Sequence, residues 1–198
     1  MKSIRISAIL IIITAAVIML FQGCTNNGTG PSLSSSYMPL KTGNRWYYSS
    51  YTHNSGPDLS KITEVWEDKG IRNHRGIEFH IIERSFPADD NNLKDTLYYS
   101  LLGDNLYQLF VPAGGEGYVS MPAMFNIKTN GTFSYKGYNL EYVVTNRGTD
   151  RDKIKFFYNS PYAVDEEHTV IFQAGRGVYD SYSDAWGNGR RLVHAELK

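Results

Sequence analysis

Asp95-Thr96-Leu97-Tyr98-Tyr99-Ser100-Leu101-Leu102-Gly103-Asp104-Asn105-Leu106-Tyr107-Gln108-Leu109-Phe110-Val111 reads as a β-hairpin. Two runs of strand length flank Gly103-Asp104, and Gly and Asp tolerate the positive φ of a tight turn. Upstream, Ile77–Phe86 is the preceding strand, with Phe79 and Ile81 on one face and Glu78, His80 and Ile82 on the other. Ser60–Glu67 alternates Ile62, Glu64 and Trp66 against Thr63, Val65 and Glu67, and Asp68-Lys69-Gly70 is a turn signal. A further turn falls near Asn73–Gly76. Arg45–Thr52 is the first strand, with Trp46 and Tyr48 sharing one face and Tyr47 and Tyr51 the other.

Downstream, Pro112–Gly117 is glycine-rich, and Met121–Ile127 is undecided between strand and loop. Asn130-Gly131 is a hairpin turn between a weak strand and Thr132–Lys136. Tyr138–Asn146 turns through Arg147-Gly148-Thr149-Asp150 into Lys153–Tyr158. Thr169–Gln173 is short and apolar, glycine-bearing turns follow, and Arg191–Leu197 closes the chain. No segment after Ser36 carries a 3.6-residue apolar period of helical length. About ten short strands separated by turns predict an all-β, single antiparallel domain. A sheet this long curls into a half-barrel or barrel, or, as the alternative, splits into a β-sandwich.

Both ends of this domain carry a motif. Pro39-Leu40-Lys41-Thr42-Gly43-Asn44-Arg45-Trp46-Tyr47-Tyr48 resembles the P-L-x-x-G-N-x-W-x-Y opening of a group of bacterial exported lipoproteins of uncharacterised function. Phe172-Gln173-Ala174-Gly175-Arg176-Gly177-Val178-Tyr179, followed by Leu192–Leu197, resembles their G-x-G closing strand pair. The resemblance implies an exported all-β domain, like the curved half-barrels of lipoprotein carriers and receptors, and implies no enzyme activity. Read unaided, Gly43-Asn44 turns the chain into the first strand and Trp46 plugs the core.

The start of the chain sets the compartment. Lys2 and Arg5 precede an uncharged run, Ile6–Phe21, which ends at Gln22-Gly23-Cys24. A basic segment, an apolar segment, a small residue and a cysteine make an export signal. It resembles a bacterial lipoprotein signal, with Phe21 where Leu is usual. The resemblance implies cleavage before Cys24, the sole cysteine, and its acylation, palmitate included. Several acyl chains anchor a protein stably where one does so only marginally. The chain therefore divides into 1–23, a signal-peptide helix; 24–36, the lipidated Cys24 and a flexible Gly/Ser/Thr/Asn tether; and 37–198, the β-domain. Thr25 is not Asp, which by the same resemblance favours outer-membrane delivery on the periplasmic face.

Without residues 1–23 the chain has 175 residues, 18 basic and 20 acidic, a net charge of −2. That balance gives no electrostatic case for nucleic acid. A single cysteine excludes a disulfide framework within the chain, so packing must hold the domain. Fifteen Tyr, eight of the nine Phe and all three Trp lie beyond residue 23 and supply it.

Reactive constellations are missing from the pattern. No G-x-S-x-G occurs, and Cys24 is committed to lipid. His53, His74, His80, His168 and His194 form no pair with metal-ligand spacing. Asp89-Asp90-Asn91-Asn92 with Asp95 meets no calcium-loop order and reads as a solvated loop. Asp180 and Asp184 miss that order too, with Tyr182 and Ala185 at positions needing a ligand and a glycine. Gly114-Gly115-Glu116-Gly117 has no following helix to bind phosphate. Glu64, Glu78 and Glu83 lie on strands, where exposed faces account for them, although paired carboxylates form in space rather than in sequence.

The expectation is a non-catalytic, membrane-anchored envelope lipoprotein without cofactor or metal. It binds a lipid, an acyl chain or a glycan in a concave, aromatic-lined sheet. The alternatives are a glycan or lipid hydrolase and a module that docks an envelope protein at an open sheet edge.

Overall fold

A computed structural model describes residues 37–74, 76–87, 93–102, 105–110, 119–126, 131–137, 140–159 and 167–198. All elements of regular structure assigned among them are strands: β1 Arg45–Thr52, β2 Glu64–His74, β3 Ile77–Ser85, β4 Lys94–Leu102, β5 Asn105–Phe110, β6 Val119–Asn126, β7 Gly131–Gly137, β8 Leu140–Asp150, β9 Lys153–Asn159, β10 His168–Gln173, β11 Gly177–Ser183 and β12 Asn188–Glu196. They form one antiparallel sheet in the order β6-β5-β4-β3-β2-β1-β12-β11-β10-β9-β8-β7. The chain meanders outward from the centre, crosses from one edge to the other between β6 and β7, and meanders back. Those two edges come within 8 Å, Cα to Cα, with no ladder joining them.

The sheet is curled, because one of its faces makes a single core. Trp46, Tyr48, Trp66, Ile82 and Tyr99 from β1–β4 join Ile154, Phe156, Val170, Phe172 and Leu192 from β9–β12 in one buried cluster. A flat sheet could not bring these distant strands together on one face. The half-barrel expected from sequence is therefore the observed form, and the sandwich alternative is not.

Twelve strands replace the expected ten or so, for local reasons. Met121–Ile127, undecided in sequence, contributes to β6. The residues after Gly177, read as turns, form β11. Its polar Asp180 is buried on the outer face, where Oδ1 accepts Tyr51 Oη–H at 2.9 Å and Oδ2 accepts Arg191 Nη2–H at 2.5 Å. Two expected turns are bulges inside strands. The register of β2 against β3 shifts between Asp68 and Ile71, with Gly70 at φ 125°. The register of β8 against β9 shifts between Asn146 and Thr149, and the chain reverses two residues later, at Arg151-Asp152. Bulges and turns draw on the same residues. The Asn130-Gly131 hairpin is also corrected: β6 and β7 are not paired but stand at opposite edges of the sheet. The strands that flank Gly103-Asp104 pair as expected, with Leu102 opposite Asn105, while Gly103 and Asp104 themselves lie outside the described residues.

The two terminal motifs meet. Trp46 is fully buried, and its Nε1–H donates to the Arg176 carbonyl at 2.7 Å. Gly177 has φ 95°, and a Cβ there would lie 2.8 Å from Trp46 Nε1. Only glycine lets the closing strand pass this close to the indole. Asn44 ties the same region together: Nδ2 donates to the Pro39 carbonyl at 2.7 Å and Oδ1 accepts Lys198 N–H at 2.8 Å. Trp46 is thus a structural plug, as read from sequence.

Candidate functional site

Strands β1 and β2 pair only from Arg45–Glu67 to Tyr48–Glu64, while β1 stays paired with β12 as far as Thr52–Asn188. Beyond Tyr48, β1 has no ladder partner on that side, and Thr63 Oγ1 accepts Ser50 N–H at 2.7 Å in its place. The opening is a cleft of about 610 Å³, and Ser50, Glu64, His168, Ser181 and Arg190 are among the residues lining it. Register explains the grouping. Ser50 faces Arg190 across β1–β12, Arg190 faces Ser181 across β12–β11, and Ser181 faces Val170 across β11–β10. Cross-strand partners share a face, so these residues form one row along the concave surface.

An ion cluster floors the cleft. Glu64 is 4 % exposed. Its Oε1 accepts Arg190 Nη1–H at 2.7 Å and Trp66 Nε1–H at 2.5 Å, and Arg84 Nη1 lies 3.6 Å away. Arg84 in turn grips Asp95 in a two-pronged pair, with Nε to Oδ1 at 2.6 Å. The Arg190 guanidinium also sits 5.5 Å from the centre of the Trp66 ring. A buried charge is tolerated only when paired and hydrogen-bonded, and here each guanidinium has a carboxylate. The exposed face expected for Glu64 is therefore corrected. Period-two alternation assigned Glu64 to the face of Trp66, and that face turns inward.

Beside this cluster lie Tyr48 and Tyr99, both buried. Burial pushes the Tyr99 hydroxyl up to about 12 and that of Tyr48 well above its ordinary value. Past Arg190 the cleft continues into a smaller recess of about 200 Å³ with Trp66, Val170, Phe172 and Val178 in its wall. His168, Ser181 and Arg190 line both spaces, so the two are continuous.

Of the other residues considered from sequence, His168 lines the cleft and its recess and the rest fall elsewhere. His168 stacks on Tyr158, with ring centres 4.6 Å apart, and stands opposite Ser183. Ser183 Oγ donates to the Glu167 carbonyl at 3.3 Å and accepts Trp186 N–H at 3.2 Å, so it is engaged in its own hairpin. His80 Nδ1 lies 2.7 Å from the buried Asp68 Oδ2. His194 stacks on Tyr47 on the outer face at 4.2 Å. Glu83 pairs with Lys94 and Lys69, and Glu78 is exposed. Among the described residues no group of three or more His, Cys, Asp or Glu is placed to hold a metal ion. Cys24, the Asp89–Asn92 loop and Gly114–Gly117 lie outside the described residues.

Sequence reading missed Arg190, Ser181 and Ser50. Their signal was available only in pairing, because Arg190 and Glu64 are 126 residues apart.

Fold and site together define a curled, all-antiparallel β-sheet protein with a polar cleft in its concave face. No protein-family model matches the chain, and no curated protein matches it in sequence. Two solved structures are similar to the chain. One is a candidate exported protein with a YmcC-like fold from Bacteroides fragilis, at 13 % identity and TM-score 0.44, covering 81 % of this chain and 98 % of that one. The other is a candidate lipoprotein from Parabacteroides distasonis, at 9 % identity and TM-score 0.42, with the same coverage of 81 % and 98 %.

Proposed function

We propose that this chain is an exported envelope lipoprotein, held to the outer membrane through acyl chains on Cys24, whose β-domain binds a ligand without transforming it. The export and anchoring part rests on the leader and the lone cysteine. The binding part rests on one observation: the concave cleft floored by the Glu64–Arg190 pair. A cleft of about 610 Å³ in which a few fixed polar groups converge has the dimensions of a small-molecule site.

The geometry favours holding over catalysis. Glu64 is the single carboxylate among the described residues lining the cleft. Its Oε1 already receives donors from Arg190 and Trp66. The serine nearest to a catalytic arrangement, Ser183, is hydrogen-bonded away within its own hairpin. A general base needs hydrogen-bond reach to the proton that it takes, and the Ser183 hydroxyl proton is given to the Glu167 carbonyl.

Native mass spectrometry of the full chain purified from its own host tests the reading. The expected result is a mass carrying acyl chains on Cys24 plus a non-covalent adduct that Arg190→Ala loses. An unacylated Cys24 would contradict the anchor. A clean apo mass, or turnover of an envelope glycan or lipid substrate by the purified chain, would contradict non-catalytic binding.

A further inference from the structure

We infer that the ligand of this cleft is an extended, uncharged stretch of peptide, held by its main chain at Glu64 and Arg190 with one apolar side chain in the recess past Arg190. The inference rests on the reading of the cleft as a ligand site and names the chemical class that it takes.

The groups left over at the floor set the chemistry. Glu64 takes its donors on Oε1, from Arg190 Nη1–H at 2.7 Å and Trp66 Nε1–H at 2.5 Å. Its Oε2 has no hydrogen-bond partner among the described residues and is not sealed off from the cleft that Glu64 lines. A guanidinium carries five N–H donors. Among the described residues, Nη1 is the only side-chain atom of Arg190 engaged in a hydrogen bond. The floor therefore offers one acceptor and several donors side by side. Ser181, opposite Arg190 across β11–β12, adds a hydroxyl without a partner of its own among those residues.

Charge narrows the class. Glu64 and Asp95 balance Arg84 and Arg190, and Arg84 is held by Asp95. An anion seated on Arg190 would lie against the Glu64 carboxylate, and an ammonium seated on Glu64 would lie against the Arg190 guanidinium. Like charges brought together are penalised, so the floor suits a neutral ligand that carries both a donor and an acceptor. In an extended strand a residue exchanges both its N–H and its C=O with one partner. A main-chain N–H donates to Glu64 Oε2 while the C=O of the same residue accepts from Arg190. An ester-linked lipid brings acceptors and no donor for Oε2. A bare sugar brings both, but nothing for the recess, whose wall includes Trp66, Leu97, Val170, Phe172 and Val178. That space of about 200 Å³ is the liquid share of roughly seven waters. It takes a branched aliphatic or single-ring side chain and is short of a membrane-length acyl chain. Strand side chains leave the plane of the main-chain hydrogen bonds, so one of them turns into the recess while the main chain stays on the floor.

Affinity selection read by mass spectrometry tests the inference, on the purified full chain in detergent micelles with protein-free micelles as reference. Two probes are used: a pool of hexapeptides, randomised in sequence and capped at both ends, and decanoate. The chain should retain peptides that carry a branched aliphatic or aromatic residue among uncharged neighbours. Their binding should fall about tenfold in Arg190→Lys and in Ser181→Leu. Arg190→Lys keeps the charge pair with Glu64 and loses the fork of donors, while Ser181→Leu narrows the way from cleft to recess, and both should melt like the parent. Retained peptides rich in Asp, Glu, Lys or Arg would overturn the neutral seat. Binding that Arg190→Lys leaves unchanged would overturn the main-chain contact, and binding that Ser181→Leu leaves unchanged would overturn the side-chain seat. Decanoate bound by the parent and lost in Ser181→Leu, with no peptide retained, would overturn the peptide class and keep the cleft as a ligand site. Retention of neither probe would overturn both the class and the site.

Discussion

Tyr48 carries a hydroxyl that is buried and has no hydrogen-bond partner among the described residues, on the strand that lies between those of Glu64 and Arg190. A buried polar atom without a partner bears a desolvation cost with no return. Tyr48→Phe keeps the ring against Trp66, 5.0 Å between centres, and removes that cost. Thermal unfolding should find it unchanged or more stable, by up to about 1 kcal/mol; a clear loss of stability would mean that the hydroxyl has a partner. Gly177→Ala is the opposite case. It places a Cβ 2.8 Å from Trp46 Nε1 at φ 95°, and both the strain and the lost approach to Arg176 count against it. Denaturant unfolding should register a loss of about 2 kcal/mol or more. At this scale the sequence was legible wherever alternation sufficed. It placed Trp46 and Tyr48 on one face, but it could not say that Glu64 on the neighbouring strand was buried, since the stabilising guanidinium comes from the far end of the chain.

Strands were easier to place than their interruptions. Asp68-Lys69-Gly70 and Arg147-Gly148-Thr149-Asp150 have turn composition, yet each sits inside a continuous strand as a bulge. Composition fixes the local backbone, while the ladder on either side decides whether the chain reverses. In β2 the bulge is held by Asp68, whose Oδ1 accepts Gly70 N–H at 3.0 Å and whose Oδ2 lies against His80. Asp68→Ala should therefore destabilise the domain by about 1–3 kcal/mol, with the largest rise in amide exchange across β2 and β3. A uniform rise over the whole sheet would show that Asp68 matters globally rather than to the bulge. The strand β11 was illegible for a related reason. Asp180 looks like a turn residue until Arg191 and Tyr51 are seen to close around it on the outer face.

As a whole molecule, the sheet withdraws tyrosine hydroxyls from water on both faces, and this sets its response to alkali. Tyr48, Tyr51 and Tyr99 all have hydroxyls raised above the ordinary value of 10, with burial the leading cause in each. The protonated form is favoured by the fold, so the associated stability is complete below pH 10 and is lost as pH rises from 10 towards 12, the value for Tyr99. Circular dichroism and tyrosinate absorbance should change together in that window. Full tyrosine titration with the sheet intact would contradict the buried placement. The half-barrel was legible as one of two outcomes, because a sheet of this many short strands either curls or splits into a sandwich. The cleft was not, because it arises where the β1–β2 ladder stops and the β1–β12 ladder continues, a fact of pairing that no single segment carries.

The central claim is that recognition takes place on the concave side of the sheet. Hydrogen–deuterium exchange of the full chain, with and without a detergent extract of the host envelope, tests it most directly. The expected result is slowed exchange confined to 50–55 and 181–190, the segments around the Glu64–Arg190 floor. Protection at the β6 and β7 edges with none in those two segments would contradict it and point instead to docking of a partner along the open sheet edge.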